Sequence, residues 1–137
     1  MTYEEALARL EACGLSSPDA RAVADHFSAA EARGKDGHGY SRVAFVEGLT
    51  LPSGGRPRRL TSDGGIDRWT GGGAIGYVVV RAIVDDLVAS PPETARLVVV
   101  EGCFPTGALG LWARELAEAG FVAVMAATSP RRLPAPT

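Results

Sequence analysis

The chain has 137 residues, 46% of them hydrophobic, and a formal net charge of −2 from 14 basic and 16 acidic side chains. That is enough for one domain with its own core and too little for two. The lack of a basic excess argues against nucleic acid or an anionic membrane surface as partner. No apolar run approaches the roughly 20 residues of a bilayer span. Two cysteines (Cys13, Cys103) and two histidines make neither a disulfide framework nor a zinc site, so no metal centre is expected. The acidic start, Met1-Thr2-Tyr3-Glu4-Glu5, is unlike a secretory signal and predicts a cytoplasmic protein.

Thr2 and Glu5 form a capping box ahead of a first helix that Gly14 closes. Ser17, with Pro18 behind it, caps a second helix whose stripe of Ala20, Val23, Ala24, Phe27 and Ala30 runs to about Arg33. A polar loop, Gly34 to Gly39, leads to a short amphipathic stretch, Val43 to Leu51, and then a Gly/Pro/Arg-rich connection. Strand-like pieces at 58–61 and 66–70 flank the turn Ser62-Asp63-Gly64-Gly65. There follow an apolar helix (77–89) stopped by Pro91-Pro92, a buried-type strand (97–100), a helix (108–119) and a second buried-type strand (121–127). The expectation is a single α/β domain over 1–137: a helical part, 1–51, packed on a small α/β layer, 58–128, with an irregular tail, 129–137. The breadth of apolar surface on helix 77–89 predicts a homodimer.

Gly71, Gly73 and Gly76 satisfy G-x-G-x-x-G before a helix, and Glu101 ends the next strand. A dinucleotide fingerprint uses such glycines to bring bare backbone to a pyrophosphate. The alternative is a tight strand-to-helix turn, favoured because Ile66-Asp67-Arg68-Trp69-Thr70 is polar for the central strand of a parallel sheet. His38 sits in a glycine-flanked loop, and Arg42 four residues on could fork onto a carboxylate; from spacing alone a surface His/Arg pair is the commoner explanation. Asp36 is placed to orient His38 or to cap the next helix. Glu101 reads as a general base or a solvated acid, Cys103 as a packed thiol, His26 as structural, and Trp69 and Trp112 as core or interface aromatics.

Several segments together resemble the malate/L-lactate dehydrogenase family, the non-Rossmann NAD(P)-dependent group that also contains ureidoglycolate and sulfolactate dehydrogenases. Ala32-Arg33-Gly34-Lys35-Asp36-Gly37-His38-Gly39-Tyr40-Ser41-Arg42 is similar to the family's Gly-x-Asp-Ser-His-Gly-x-x-Arg segment. Asp67 to Ala82 resembles its glycine turn and Ala-rich helix, and Gly107-Ala108-Leu109-Gly110-Leu111-Trp112-Ala113 its Gly-Ala-x-Gly-Tyr-x-Ala run. Ala119-Gly120-Phe121 through Ser129-Pro130, with Ala135-Pro136, resembles the strand and loop that follow. The resemblance implies the fold of the family's N-terminal half and an NAD(P)-dependent oxidoreductase of small 2-hydroxy, 2-oxo or imino acids. The catalytic residues expected are His38, Arg42 and Glu101; the cofactor-facing residues are Gly71, Gly73, Gly76 and Thr106.

The departures bear on chemistry. Cys103-Phe104-Pro105-Thr106-Gly107 puts Pro105 where the family carries its acid/base histidine, and proline cannot shuttle a proton. Gly37 replaces a serine hydroxyl, and Ala127-Thr128 stands for Thr-Asn. The family's long second half, which completes the cofactor and substrate pockets, lies beyond the matched residues, so a shortened member is expected. Two classes of function follow. One is a small-molecule enzyme repurposed to a non-redox reaction on a carboxylate, such as an isomerase, lyase or cyclase. The other is a non-catalytic subunit that completes a composite pocket with a partner chain; a third reading is an NAD(P)-binding oxidoreductase fragment.

Overall fold

A computed structural model describes residues 1–129. In chain order the elements are α1 (Tyr3–Ala12), α2 (Ser17–Glu31), two 3-10 turns (Asp36–His38 and Tyr40–Arg42), α3 (Val43–Glu47), β1 (Arg58–Asp63), β2 (Ile66–Thr70), α4 (Gly76–Ala89), β3 (Leu97–Glu101) and α5 (Leu109–Glu118). The capping box forms as the sequence predicts: the Glu5 amide donates to Thr2 Oγ1 (3.2 Å) and the Thr2 amide to Glu5 Oε2 (2.8 Å). The cap of α2 is Ser16 rather than Ser17, its hydroxyl accepting the Asp19 amide; Pro18, lacking an amide, then occupies the first turn at no cost. The stretch 43–51 is helical only to Glu47, because Gly48 and the approaching Pro52 leave it nothing to propagate into.

The hairpin closes on two residues, Gly64 and Gly65, both at positive φ (54° and 79°), which is the backbone a two-residue turn between twisted strands requires. The sheet order is β1-β2-β3, with β1 antiparallel to β2, a register slip at Leu60, and β2 parallel to β3 across the α4 crossover. The polarity of β2 does not keep it from the middle position, because helices cover only one face of the sheet. Trp69 points inward against Val79 and Ile83 of α4, together with Val98 and Val100. Ile66, Arg68, Leu97 and Val99 face out, so β3 is half-exposed rather than buried on both faces. Asp67, also inward, is buried beside Arg96 (3.3 Å) and Arg59 (4.0 Å).

The main core joins α1, α2, α3, α4 and α5 through Leu10, Val23, Phe27, Val46, Tyr77, Val84 and Trp112. Helix α4 is therefore covered on two sides, by its own sheet and by the other helices. Its residues from Tyr77 to Val80, with Ile83 and Val84, are buried within the chain, so of the surface on which the dimer expectation rested only the end at Leu87 and Val88 stays uncovered or partly so.

The strand expected over 121–127 does not form a ladder among the described residues. The alternation that suggested it is real: Phe121, Ala123 and Met125 pack on the core, while Val122 and Val124 are almost fully exposed. A strand needs a neighbour to exchange hydrogen bonds with, and no described residue supplies one. Most of the expected irregular tail, and the match at Pro130, Ala135 and Pro136, lies outside the described residues. Among those described, no helix is long and apolar enough to cross a membrane.

Candidate functional site

The segment bearing His38 and Arg42 is fixed to α2 by one carboxylate. Glu31 Oε1 accepts the Tyr40 amide (2.8 Å), and its side chain fills the space a Cβ on Gly39 would occupy, so a larger residue there would displace the carboxylate from this bond. This clamp turns the chain sharply and presents His38 to solvent at the end of the first 3-10 turn. Asp36 neither caps a helix nor bonds His38 through its side chain; its carbonyl instead accepts the Ser41 hydroxyl (2.5 Å).

Arg42 is half-buried in an aromatic frame drawn from three segments. Its guanidinium lies 4.7 Å from the centroid of Phe45, which meets Phe104 edge to face (6.3 Å, 89°). Burial pushes the Tyr77 phenol up, and the nearby Arg42 charge opposes that shift. Arg42 Nε is buried with no hydrogen-bond partner among the described residues. A buried, unspent guanidinium donor is costly unless a ligand or another chain satisfies it.

The remaining expected site residues are not drawn to Arg42 by any bond. Glu101 is exposed on the outward face of β3, and its carbonyl accepts the Gly71 amide (2.7 Å). The glycine turn is filled by its own chain. The Gly72 amide donates to Thr70 Oγ1 (3.2 Å), Ala74 to the Gly71 carbonyl (3.0 Å) and Gly76 to the Phe104 carbonyl (3.2 Å). A Cβ on Gly76 would lie 2.4 Å from the Pro105 oxygen. A pyrophosphate cradle needs amides that face open space; here the amides of Gly71, Gly72, Ala74 and Gly76 are spent within the turn and on the 101–105 loop, so the turn carrying Gly71, Gly73 and Gly76 does not fit NAD(P). Thr106 is likewise engaged through its carbonyl, which accepts Trp112 Nε1–H (2.8 Å). Burial pushes the Cys103 thiol up to about 11, leaving it without thiolate character at neutral pH.

Sequence reasoning missed the aromatic frame, and read His26 only as structural. His26 is 4% exposed, stacks on Trp112 (4.5 Å) and accepts the Ala108 amide at Nε2 (3.0 Å). The signal was its position between Val23 and Ala30 on the buried stripe of α2. Two cavities, of about 400 and about 310 Å³, lie along α4 and α5 and between α2 and α5; His38, Arg42 and Glu101 line neither. No group of three or more His, Cys, Asp or Glu among the described residues is placed to hold a metal.

Comparison with known proteins adds three findings. Residues 3–137 match the family described as malate/L-lactate dehydrogenase. No curated protein matches the chain. Among solved structures, malate dehydrogenase from Pyrococcus horikoshii OT3 is similar at 23% identity and a TM-score of 0.73, over 86% of this chain and 35% of that one. Malate dehydrogenase from Entamoeba histolytica is similar at 22% identity and a TM-score of 0.73, over 86% of this chain and 34% of that one. The likeness is one of fold, and the chain spans about a third of the length of these structures.

Proposed function

Because the chain belongs to the malate/L-lactate dehydrogenase family, we propose that it carries the carboxylate-recognising part of a small-molecule metabolic enzyme, with Arg42 gripping the acid and His38 as hydrogen-bond donor or acid/base beside it. The observation that carries this reading is the Arg42 guanidinium, half-buried among Phe45, Tyr77 and Phe104 with its Nε unpartnered among the described residues. A planar carboxylate supplies two acceptors in the spacing of that fork, and the apolar frame strengthens the pairing by excluding water. Pro105 offers no acid/base group, Cys103 holds its proton, and Glu101 makes no bond to this site. These three facts leave His38 to supply the proton chemistry, and a glycine turn closed on its own chain favours a non-redox reaction, such as isomerisation, lyase chemistry or cyclisation, over hydride transfer run by this chain alone. NAD(P), which the family relationship implies, finds no fitting cradle at Gly71, Gly73 and Gly76, and no step is assigned to it.

The exposed Val122–Val124 edge favours a second reading, in which this chain is a subunit or pseudoenzyme whose pocket another polypeptide completes, as a homodimer or with a second-half partner. A neighbouring reading frame encoding the rest of the family's fold would favour that version. The cytoplasm is the compartment either reading assigns.

The test is calorimetric titration of the purified chain with oxalate, a minimal planar dicarboxylate. Binding near the millimolar range (about −4 kcal/mol) is expected, weakened about thirtyfold in Arg42→Gln and only partly restored in Arg42→Lys. Equal oxalate affinity in wild type and Arg42→Gln would refute the reading.

A further inference from the structure

Two polar side chains, Asp67 and His26, are buried among the described residues. Asp67 is accounted for by its arginines. His26 reaches from α2 to the loop 104–108, the segment in which Pro105 stands where the family carries its histidine. Because Nε2 accepts the Ala108 amide, the ring proton resides on Nδ1. The contact is close-fitting: Gly107 is at φ +70°, and a Cβ there would lie 2.4 Å from both His26 Nε2 and Tyr77 Cε1.

This is one of three fastenings on the same loop. The Gly76 amide holds the Phe104 carbonyl, Trp112 holds the Thr106 carbonyl, and His26 holds the Ala108 amide. From this cluster two routes lead to Arg42. Phe104 meets Phe45, over which the guanidinium lies. Tyr77 takes the edge of the His26 ring (5.2 Å) and stands beside Arg42 at its hydroxyl. We infer that His26 is a positioning residue for the Arg42 site: by accepting the Ala108 amide and bracing Tyr77, it fixes the Phe104–Ala108 loop that forms one wall of that site. The effect on ligand binding rests on the carboxylate reading above; the fixing of the loop does not.

A histidine supplies two things here, an acceptor at the far tip of the ring and a flat face for Trp112, and two variants separate them. His26→Gln keeps an acceptor near the Nε2 position, whereas His26→Phe keeps the ring and leaves the Ala108 amide unpaired. Amide exchange at Ala108, followed by NMR, reads the loop, and oxalate titration reads the Arg42 site. Exchange about tenfold faster and oxalate binding about tenfold weaker are expected in His26→Phe, with both rescued to within about twofold in His26→Gln even if its Tm falls. Gly107→Ala, which pushes the loop off an intact His26, should weaken oxalate similarly, and it serves where the Phe variant does not fold. The inference is overturned if Ala108 exchange is the same in wild type and His26→Phe, or if oxalate affinity survives a loosened loop. It is equally overturned if the Gln variant falls with the Phe variant. Wild-type protein that binds no oxalate would sink the carboxylate reading alone, and Ala108 exchange in the Gln and Phe variants would still decide the role of His26.

Discussion

Acidification below neutrality should loosen the helical half of the molecule through one side chain. Burial, aided by the charges of His38 and Arg81, lowers the pKa of His26 from 6.5 to about 4. Between those values the unfolded chain binds a proton that the folded chain refuses, so folding stability is whole above pH 6.5 and falls as pH drops toward 4. From the two pKa values the loss is about 1 kcal/mol at pH 6, about 2 kcal/mol at pH 5 and about 3 kcal/mol at pH 4. That is a large share of the roughly 5–15 kcal/mol that holds a domain of ordinary stability together. Urea unfolding at a series of pH values, read by tryptophan fluorescence and far-UV circular dichroism, measures it directly. His26→Gln, which has no ionisable group, supplies the baseline by difference. If wild type and His26→Gln lose stability in parallel between pH 7 and pH 5, the buried-neutral assignment of His26 is wrong.

His38→Ala should leave Tm within about 1 °C, because the imidazole is exposed, while weakening oxalate binding or any turnover; unchanged binding removes His38 from the site. NADH and NADPH should bind the chain more weakly than about 100 μM, or roughly −5.5 kcal/mol, by fluorescence titration, since the amides of Gly71, Gly72, Ala74 and Gly76 are spent; low-micromolar binding would contradict that. Gly76→Ala should cost about 2 kcal/mol or more in urea unfolding, its methyl being driven toward the Pro105 carbonyl, and a neutral effect would mean the turn is not closed as described. Cys103 should resist alkylation by iodoacetamide at pH 7.5 far longer than an exposed thiol, with rapid labelling as the contrary result.

Local signals in the sequence were reliable where the chain itself supplies the partner. Thr2 and Glu5 satisfy each other, and the two glycines close their own hairpin; the apolar breadth of α4, by contrast, pointed to a second copy where the chain's own sheet and helices supply most of the cover. The readings that failed depended on something beyond the segment. Residues 121–127 have the alternation of a strand, but hydrogen-bond pairing needs a second chain segment that periodicity does not reveal. The polar β2 occupies the centre of the sheet because only one face is covered, a tertiary fact. At the site, the motif pointed to His38 and Arg42. Phe45, Tyr77 and Phe104 were invisible as a group because they converge from α3, α4 and a loop. His26 was legible as buried, but its reach to Ala108, 82 residues away, was not.

The Val122–Val124 segment has a consequence for how the protein behaves in bulk. From Ala119 to Ser129 no side chain is charged, so nothing along that segment repels another copy of itself. Here the colloidal stability of concentrated solutions rests on the charges of the helical faces, such as Arg114 and Glu118 at the end of α5. Salt, which screens those charges while leaving the valines untouched, is therefore the solution variable to which the solubility of the isolated chain is most exposed.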